Sequence, residues 1–312
     1  MKNLNLKFIS CLIVLAAGCL VNAGAMKLPS GFKESSQSVG NGLSLRYLHG
    51  GKGEPVVLIH GFGDTAEMWR PIMPELAKSY TVIAPQLPGL RGSSFLPGGV
   101  YDMKTVARNI HELVKRLGYK KIRLVGHDIG LMAAFAYASQ FPQEVQKLVL
   151  MDAPIPGIGK EWPIVFNNPN LWHFHYPNSP VALKLVKGRE RTFLDHFWIS
   201  FSGNPAKVAI PESDRQFYTT AYAKPGAMGA ALGYFKAFPQ DAIDNLKFQE
   251  SGQLPMPVLV IEGERAMGGI LTAQAKQAAT NVKSVILKNA GHWLIDERPT
   301  EVRKEIVGFF RN

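Results

Sequence analysis

The stretch Arg123-Leu-Val-Gly-His-Asp-Ile-Gly130, which continues as Leu-Met-Ala-Ala-Phe-Ala-Tyr-Ala, decides the fold. Its apolar beginning predicts a buried strand over residues 121–125, and the Ala-rich continuation predicts a buried helix over residues 131–141. The Gly-His-Asp-Ile-Gly segment between them has the form of a nucleophile elbow, a tight strand-to-helix turn that lifts one side chain above a sheet. The central residue is Asp128. The alternative is a Gly-rich turn whose Asp caps the next helix.

An Asp in place of the usual elbow Ser changes the chemistry that the turn predicts. A carboxylate nucleophile attacks an electrophilic carbon and forms an ester. We therefore expect an alkylating electrophile as substrate, such as an epoxide or a haloalkane. The elbow has no hydroxyl, which argues against a serine-type esterase.

Strand-like and helical segments alternate along most of the chain. Strands are predicted over residues 43–48, 55–59, 81–84, 121–125, 147–151, 257–261 and 284–287, and helices over 102–117, 131–141, 272–279 and 300–311. Such alternation predicts an α/β fold with a mostly parallel, doubly wound sheet, in which the first strand is a candidate for antiparallel pairing. The alternation stops in the aromatic-rich residues 153–253. This region is predicted to be a helical cap inserted into a core of residues 26–152 and 254–312.

The first 25 residues have the pattern of a signal peptide. Lys2 and Lys7 precede or border an apolar run over residues 8–20, and Ala23-Gly-Ala25 is a cleavage site. The run is short for a membrane span, so we expect a periplasmic or secreted protein without an integral membrane segment. An alternative is a lipoprotein box that would leave Cys19 acylated. Because Cys11 and Cys19 both lie in the leader, the mature chain is expected to have neither disulfides nor thiolate metal ligands.

The composition excludes some classes of function. The 312 residues carry a net charge of +11, but no block of Lys and Arg alternates with aromatic residues, so nucleic-acid binding is not expected. Neither a clustered His and carboxylate ligand set nor a G-x-G-x-x-G loop is present, and no metal or organic cofactor is expected. The oligomeric state is left open, with a homodimer as one candidate.

A glycine-rich loop, His60-Gly-Phe-Gly-Asp64, follows the strand predicted over residues 55–59. In hydrolases with an elbow of this form, one oxyanion-hole N–H comes from this loop and one from the residue after the nucleophile. These would be the N–H groups of Phe62 and Ile129. The alternative is an ordinary turn between a strand and a helix.

A histidine and an acid are expected to complete a catalytic triad. His292 follows the last predicted strand and precedes the C-terminal helix, where this architecture keeps its base. Two carboxylates stand at strand ends, Asp152 and Glu264. Both fit the chain order of nucleophile, acid and base, and from the residues alone both remain open.

The motifs HGFGD, GHDIG, MDAPIP, LWHF and GHW, with a helical cap, resemble the epoxide hydrolase and dehalogenase branch of the α/β-hydrolases. The chain is most similar to the Cif-type epoxide hydrolases, through APIP, LWHF and YAKP. In many relatives the acid stands two residues after Glu264, where this chain has Ala266. The resemblance therefore favours Asp152, although the Cif-type residue there is Glu.

The resemblance also implies two hydrogen-bond donors in the cap, a His and a Tyr, which hold the epoxide oxygen. The His falls at His173, with His175 as a second candidate. The Tyr is expected directly before a basic residue of a cap helix. That basic residue is Lys236, but Phe235 precedes it. Tyr234 is therefore the candidate second donor.

The substrate class follows from the same resemblance. Dehalogenases of this branch place Trp or Arg after the nucleophile, to bind the leaving halide or a substrate carboxylate, and Ile129 does neither. We therefore expect a hydrolase that opens small-molecule epoxides to vicinal diols through an ester on Asp128. One alternative is a haloalkane or haloacid dehalogenase of the same fold. The other is a catalytically impaired effector or binding protein, which the absence of a hydroxyl at Phe235 makes plausible.

Overall fold

One eight-stranded sheet organises the computed structural model, which describes residues 26–311. The signal peptide predicted over residues 1–25 and both cysteines lie outside the described residues. The strands are Phe32–Gly40 (β1), Leu43–Gly51 (β2), Glu54–Ile59 (β3), Tyr80–Pro85 (β4), Ile122–His127 (β5), Val145–Met151 (β6), Val258–Gly263 (β7) and Val282–Leu287 (β8). Their order across the sheet is β1-β2-β4-β3-β5-β6-β7-β8.

The sheet is parallel from β4 to β8, whereas β2 pairs antiparallel with β1 and β4. The predicted α/β fold and the antiparallel start are therefore confirmed. The central strands β3, β5, β6 and β7 are apolar and largely buried, because helices cover both faces of the sheet. The sequence does not predict β1, since its residues FKESSQSVG are mostly polar and partly exposed at the sheet edge.

Helices fill the connections between the strands. They are Met73–Leu76 (α1), Met103–Arg116 (α2), Ile129–Gln140 (α3), Glu161–Phe166 (α4), Ala182–Val186 (α5), Glu190–Ser200 (α6), Glu212–Tyr222 (α7), Ala227–Lys236 (α8), Phe238–Glu250 (α9), Ile270–Ala278 (α10), Leu294–Glu297 (α11) and Pro299–Arg311 (α12). Short 3₁₀ helices include Pro169–Phe174 and Tyr176–Asn178. Among the described helices, none is both long and apolar enough to cross a bilayer.

Local sequence explains the two helices that flank the elbow strand. The side chain of Asp102 caps α2 by accepting a hydrogen bond of 2.8 Å from the Thr105 N–H, and Lys115 and Arg116 lie in its last turn, where positive charge is favourable. Helix α3 is buried over most of its length, in agreement with its Ala-rich sequence. It ends at Gln140, before Pro142, since proline cannot continue a helix.

The carboxyl ends of the parallel strands meet at one edge of the sheet. His60 follows β3, Asp128 follows β5, Asp152 follows β6, and His292 lies beyond β8. Helices α4 to α9 lie between β6 and β7 in the chain, and several of their aromatic side chains face this edge across a cavity. Open α/β sheets bind their ligands at such an edge.

Candidate active site

Asp128 occupies a strained turn between β5 and α3. Its φ of 53° lies in the left-handed region, where a residue other than glycine costs about 1–3 kcal/mol. Glycines on either side make the turn possible. A Cβ at Gly126 would lie 2.3 Å from the carbonyl oxygen of Gly130, and a Cβ at Gly130 would lie 2.3 Å from that of Ile59. The structure therefore has the elbow geometry, and Asp128 stands at its apex.

Two backbone N–H groups stabilise the Asp128 carboxylate. The Phe62 N–H donates to Oδ1 at 2.7 Å, and the Ile129 N–H also bonds the carboxylate. Burial raises the pKa of Asp128, while the charge of His292 and these two N–H groups oppose the rise. The Phe62 N–H, one of the two predicted for the oxyanion hole, thus lies at the oxygen that would become the carbonyl oxygen of an ester.

His60 holds the loop that carries Phe62 through hydrogen bonds of its imidazole ring. The Nδ1–H of this buried ring donates to the carbonyl oxygen of Gly61 at 2.9 Å, while Nε2 accepts from the Leu87 N–H at 3.1 Å. Burial lowers the pKa of His60 to about 4, so the ring is neutral at pH 7. Gly61 itself touches the elbow, since an added Cβ would lie 2.6 Å from the Cβ of Asp128.

His292 lies between two carboxylates. Its Nδ1 is 2.9 Å from Oδ2 of Asp152, and its Nε2 is 3.6 Å from Oδ2 of Asp128. Burial alone lowers the pKa of His292, but the hydrogen bond to Asp152 and the charges of both carboxylates raise it above its usual value. The arrangement fixes the proton on Nδ1 and leaves Nε2 to act as a base.

Asp152, rather than Glu264, reaches His292. Asp152 has a φ of 52° at the end of β6 and is fully buried, and its Oδ1 accepts from the Gly263 N–H at 2.7 Å. Burial raises the pKa of Asp152, and the hydrogen bond to His292 opposes the rise. Glu264 is exposed and instead accepts from the Asn289 N–H at 2.8 Å.

His127 is a supporting residue that the sequence interpretation missed. Its Nε2–H donates to the backbone carbonyl oxygen of His292 at 2.9 Å, and the two rings lie 4.6 Å apart. Burial lowers the pKa of His127 well below its usual value, so the ring is neutral. The residue before the nucleophile thereby anchors the loop of the base. Its place in the elbow motif was the available signal.

His173 lies in the cavity wall contributed by the helical region after β6. Aromatic rings surround it, with Phe197 at 5.0 Å and Phe201 and Phe235 at 5.5 Å between ring centroids. Its Nδ1 is buried without a hydrogen-bond partner. Burial lowers the pKa of His173 to about 3, so that the ring is neutral and offers one N–H. His175, the second candidate, is exposed and bonds the carbonyl oxygen of Phe166.

The prediction that Tyr234 is a second donor is wrong. Its hydroxyl donates to the carbonyl oxygen of Pro88 at 2.9 Å, and its fully buried ring packs against Tyr101 and is not part of the cavity lining. Phe235 lines the cavity in its place, 4.9 Å from Phe62 between ring centroids. Adjacent residues of a helix point about 100° apart, so both side chains cannot face the same cavity.

The cavity has a volume of about 210 Å³ and is mostly apolar. Asp128, Asp152, His173 and His292 form part of its wall. Its apolar lining consists of Phe62, Ala153, Pro154, Val165, Leu171, Phe174, Phe197, Phe201, Phe235, Ala266, Met267, Ile270 and Trp293. Within residues 26–311 no group of His, Cys, Asp and Glu side chains is arranged to hold a metal ion. The wall suits a small, apolar, electrophilic molecule.

The elbow, the sheet and the order of the site residues define an α/β-hydrolase, and comparison with known proteins agrees. A model of the alpha/beta hydrolase fold matches residues 54–299, and the chain belongs to this family. A soluble epoxide hydrolase of Corynebacterium sp. (strain C12) is 32% identical over 278 residues, which cover 88% of this chain and 96% of that protein. The chain is an epoxide hydrolase-type hydrolase of the Cif-like branch.

Solved structures support the same placement. Cfl2 from Burkholderia cenocepacia superimposes with a TM-score of 0.82 at 30% identity, covering 90% of this chain and 96% of that one. The Cif epoxide hydrolase from Acinetobacter nosocomialis superimposes with a TM-score of 0.81 at 25% identity, covering 91% and 90%. These neighbours share the fold over almost the whole of the described chain.

Proposed function

We propose that this protein opens epoxides to vicinal diols through an ester on Asp128. The observation that carries the proposal is that the two oxygens of this carboxylate have different partners. The Phe62 N–H holds Oδ1, while Oδ2 lies 3.6 Å from Nε2 of His292. Oδ2 is thus the attacking oxygen, and Oδ1 already occupies the oxyanion hole that the second step needs.

In the first step, Oδ2 of Asp128 attacks an epoxide carbon and the bond from that carbon to the ring oxygen breaks. The ring oxygen develops negative charge, which the N–H of His173 stabilises. Because His173 is neutral, it donates a hydrogen bond and keeps its proton. The proton that completes the first hydroxyl comes from solvent. Phe235 supplies no second donor.

In the second step, Nε2 of His292 takes a proton from water, whose oxygen attacks the carbonyl carbon of the Asp128 ester. The oxyanion forms at Oδ1, against the N–H groups of Phe62 and Ile129. Collapse breaks the ester bond, and His292 returns its proton to the departing diol oxygen. Asp128 is left as a carboxylic acid, releases one proton to solvent and so balances the first step. Asp152 holds His292 in the required tautomer.

Isotope labelling in a single turnover tests the ester. With enzyme in excess over styrene oxide in ¹⁸O-labelled water, the label is expected in the Asp128 carboxylate, because the diol oxygen comes from the protein. Label that enters the diol at once would indicate direct attack by water and would refute the mechanism.

Two variants test the roles separately. Asp128→Ser is expected to form no diol from styrene oxide, and His292→Ala is expected to accumulate a covalent adduct on Asp128 that intact-protein mass spectrometry detects. Unchanged diol formation in both variants would exclude the proposal. Halide release from a panel of haloacids, without any epoxide opening, would instead support a dehalogenase.

A further inference from the structure

Large apolar side chains are exposed together on the outer surface of the helical region after β6. Between residues 172 and 185 they lie on the 3₁₀ helix Pro169–Phe174 and at α5, elements that both contact the 3₁₀ helix Tyr176–Asn178. We call this surface the cap apolar face. Its members are Trp172, Val181 and Leu185, with exposed fractions of 36%, 45% and 55%; Val181 and Leu185 are four residues apart and share one side of the chain at α5. Exposure of such groups to water is unfavourable, so an apolar partner is expected to cover this face.

The centre of this face is a shallow groove. Trp172, Tyr176, Leu185, Val186 and Phe193 line it. The Trp172 ring lies 5.3 Å from that of Tyr176 and 6.1 Å from that of Phe193. Trp and Tyr rings flanked by exposed aliphatic side chains are typical of surfaces that rest at a membrane–water interface.

Cations outnumber carboxylates beside the face. Lys160, Lys184, Lys187 and Arg189 form no salt bridge among the described residues. The two neighbouring carboxylates are engaged locally: Glu161 accepts from the Gln277 side chain, and Glu190 accepts from the Gly188 N–H. Exposed cations around an apolar surface favour contact with anionic lipid.

The same segment forms part of the wall of the active-site cavity. Val165, Asn168, Leu171 and His173 line the cavity, and Trp172 of the cap apolar face is directly next to His173 in the chain. An apolar compound dissolved in a bilayer would therefore leave the lipid beside the wall of the cavity.

We propose that the cap apolar face docks on an anionic lipid bilayer. The charges favour lipid over a second copy of this chain, because a twofold contact through this face would bring its own unpaired cations together. The proposal concerns binding and does not depend on the reaction at Asp128.

Co-sedimentation of the whole protein with lipid vesicles tests the proposal. We expect binding to vesicles of phosphatidylcholine mixed with phosphatidylglycerol, weaker binding to phosphatidylcholine alone, and a decrease with salt. Lys184→Glu combined with Lys187→Glu is expected to weaken binding about 25-fold or more, since each lysine contributes about fivefold. Val181→Glu combined with Leu185→Glu is expected to weaken it about tenfold or more.

Matched variants elsewhere on the surface provide the controls. Ile243→Glu with Leu246→Glu on α9 changes aliphatic residues of 48% and 49% exposure, and Lys120→Glu with Lys121→Glu changes two exposed lysines before β5. Neither pair is expected to lower vesicle binding as much as its counterpart. Equal losses in the controls, or no binding of the wild type to anionic vesicles, would overturn the proposal.

Sedimentation velocity separates the remaining outcome. If the wild type is a dimer that Val181→Glu with Leu185→Glu converts to a monomer, and no variant or wild-type protein binds vesicles, the face is a contact between copies and the proposal is wrong. Circular-dichroism spectra unchanged from those of the wild type would show that these variants remain folded.

Discussion

Replacing Asp152 with Asn is predicted to stop the enzyme at the ester. Asp152 offers one oxygen to His292 Nδ1 at 2.9 Å and the other to the Gly263 N–H at 2.7 Å. Asn has a single acceptor oxygen, and the backbone N–H can bond only to an acceptor. The amide oxygen therefore stays on Gly263 and the NH₂ faces Nδ1. The proton of His292 moves to Nε2, which can then no longer accept one from water.

The magnitude follows from the loss of the base. The same change in a Ser-His-Asp triad lowers kcat by about 10⁴, or about 5.5 kcal/mol of transition-state stabilisation. Attack by Asp128 on the epoxide does not require His292 as a base. Alkylation in Asp152→Asn should therefore stay within about tenfold of wild type, while ester hydrolysis slows by about 10⁴.

Rapid mixing with styrene oxide, acid quenching and intact-protein mass spectrometry measure the two steps separately. We expect Asp152→Asn to gain the mass of one substrate and to lose it slowly. Glu264→Gln is the matched control, because Glu264 is the other carboxylate at a strand end and is exposed; it should turn over normally. The reasoning fails if Asp152→Asn turns over within tenfold of wild type, or if Glu264→Gln accumulates the ester.

Three further outcomes are expected. Phe235→Tyr places a hydroxyl on the ring beside the cavity. It should raise kcat/KM for an aliphatic epoxide about two- to tenfold, which corresponds to the free energy of one added hydrogen bond. An unchanged or lower value would indicate that the hydroxyl does not reach the substrate. Gly130→Ala puts a Cβ 2.3 Å from the carbonyl oxygen of Ile59 and should lower the free energy of unfolding in urea by about 3 kcal/mol. The rate of ester hydrolysis should fall as the pH drops through the pKa of His292, since only the neutral ring accepts a proton. Alkylation removes the Asp128 charge that raises this pKa. The midpoint in single-turnover rates of the ester should therefore lie at lower pH than the midpoint that NMR titration gives for His292 in the free enzyme.

Much of the fold could be predicted because its signals are local. Buried parallel strands are continuous apolar runs, and the helices around them have caps and stops within a few residues, as Asp102 and Pro142 illustrate. The edge strand β1 has no such signal, since its polar residues are stabilised by pairing with β2 rather than by burial.

The site residues also differ in whether a local sequence pattern predicts them. Asp128 is recognisable because the turn around it needs glycines at fixed positions. The prediction of Tyr234 as a donor is wrong because the sequence predicts the helix but not its rotation about its own axis. A difference of one position decides whether Tyr234 or Phe235 faces the cavity. The contact of His127 with His292 joins residues far apart in the chain, so the elbow motif indicates His127 but not its partner.

The choice between Asp152 and Glu264 shows how the sheet itself settles a catalytic detail. Strands β6 and β7 are parallel neighbours with Met151 opposite Ile261, so a carboxylate after either strand reaches the same edge. Asp152 is fixed by β7, through its own N–H on the Ile261 carbonyl oxygen and the Gly263 N–H on Oδ1.

With the acid on β6, the cavity wall after β7 carries Arg265 and Ala266 and no carboxylate. A carboxylate there would raise the pKa of Asp128 further by like-charge repulsion. Because burial already raises that pKa, the nucleophile would be ionised over a narrower range of pH. Placing the acid on β6 therefore leaves this part of the wall without a second negative charge and favours the ionised form of the attacking carboxylate.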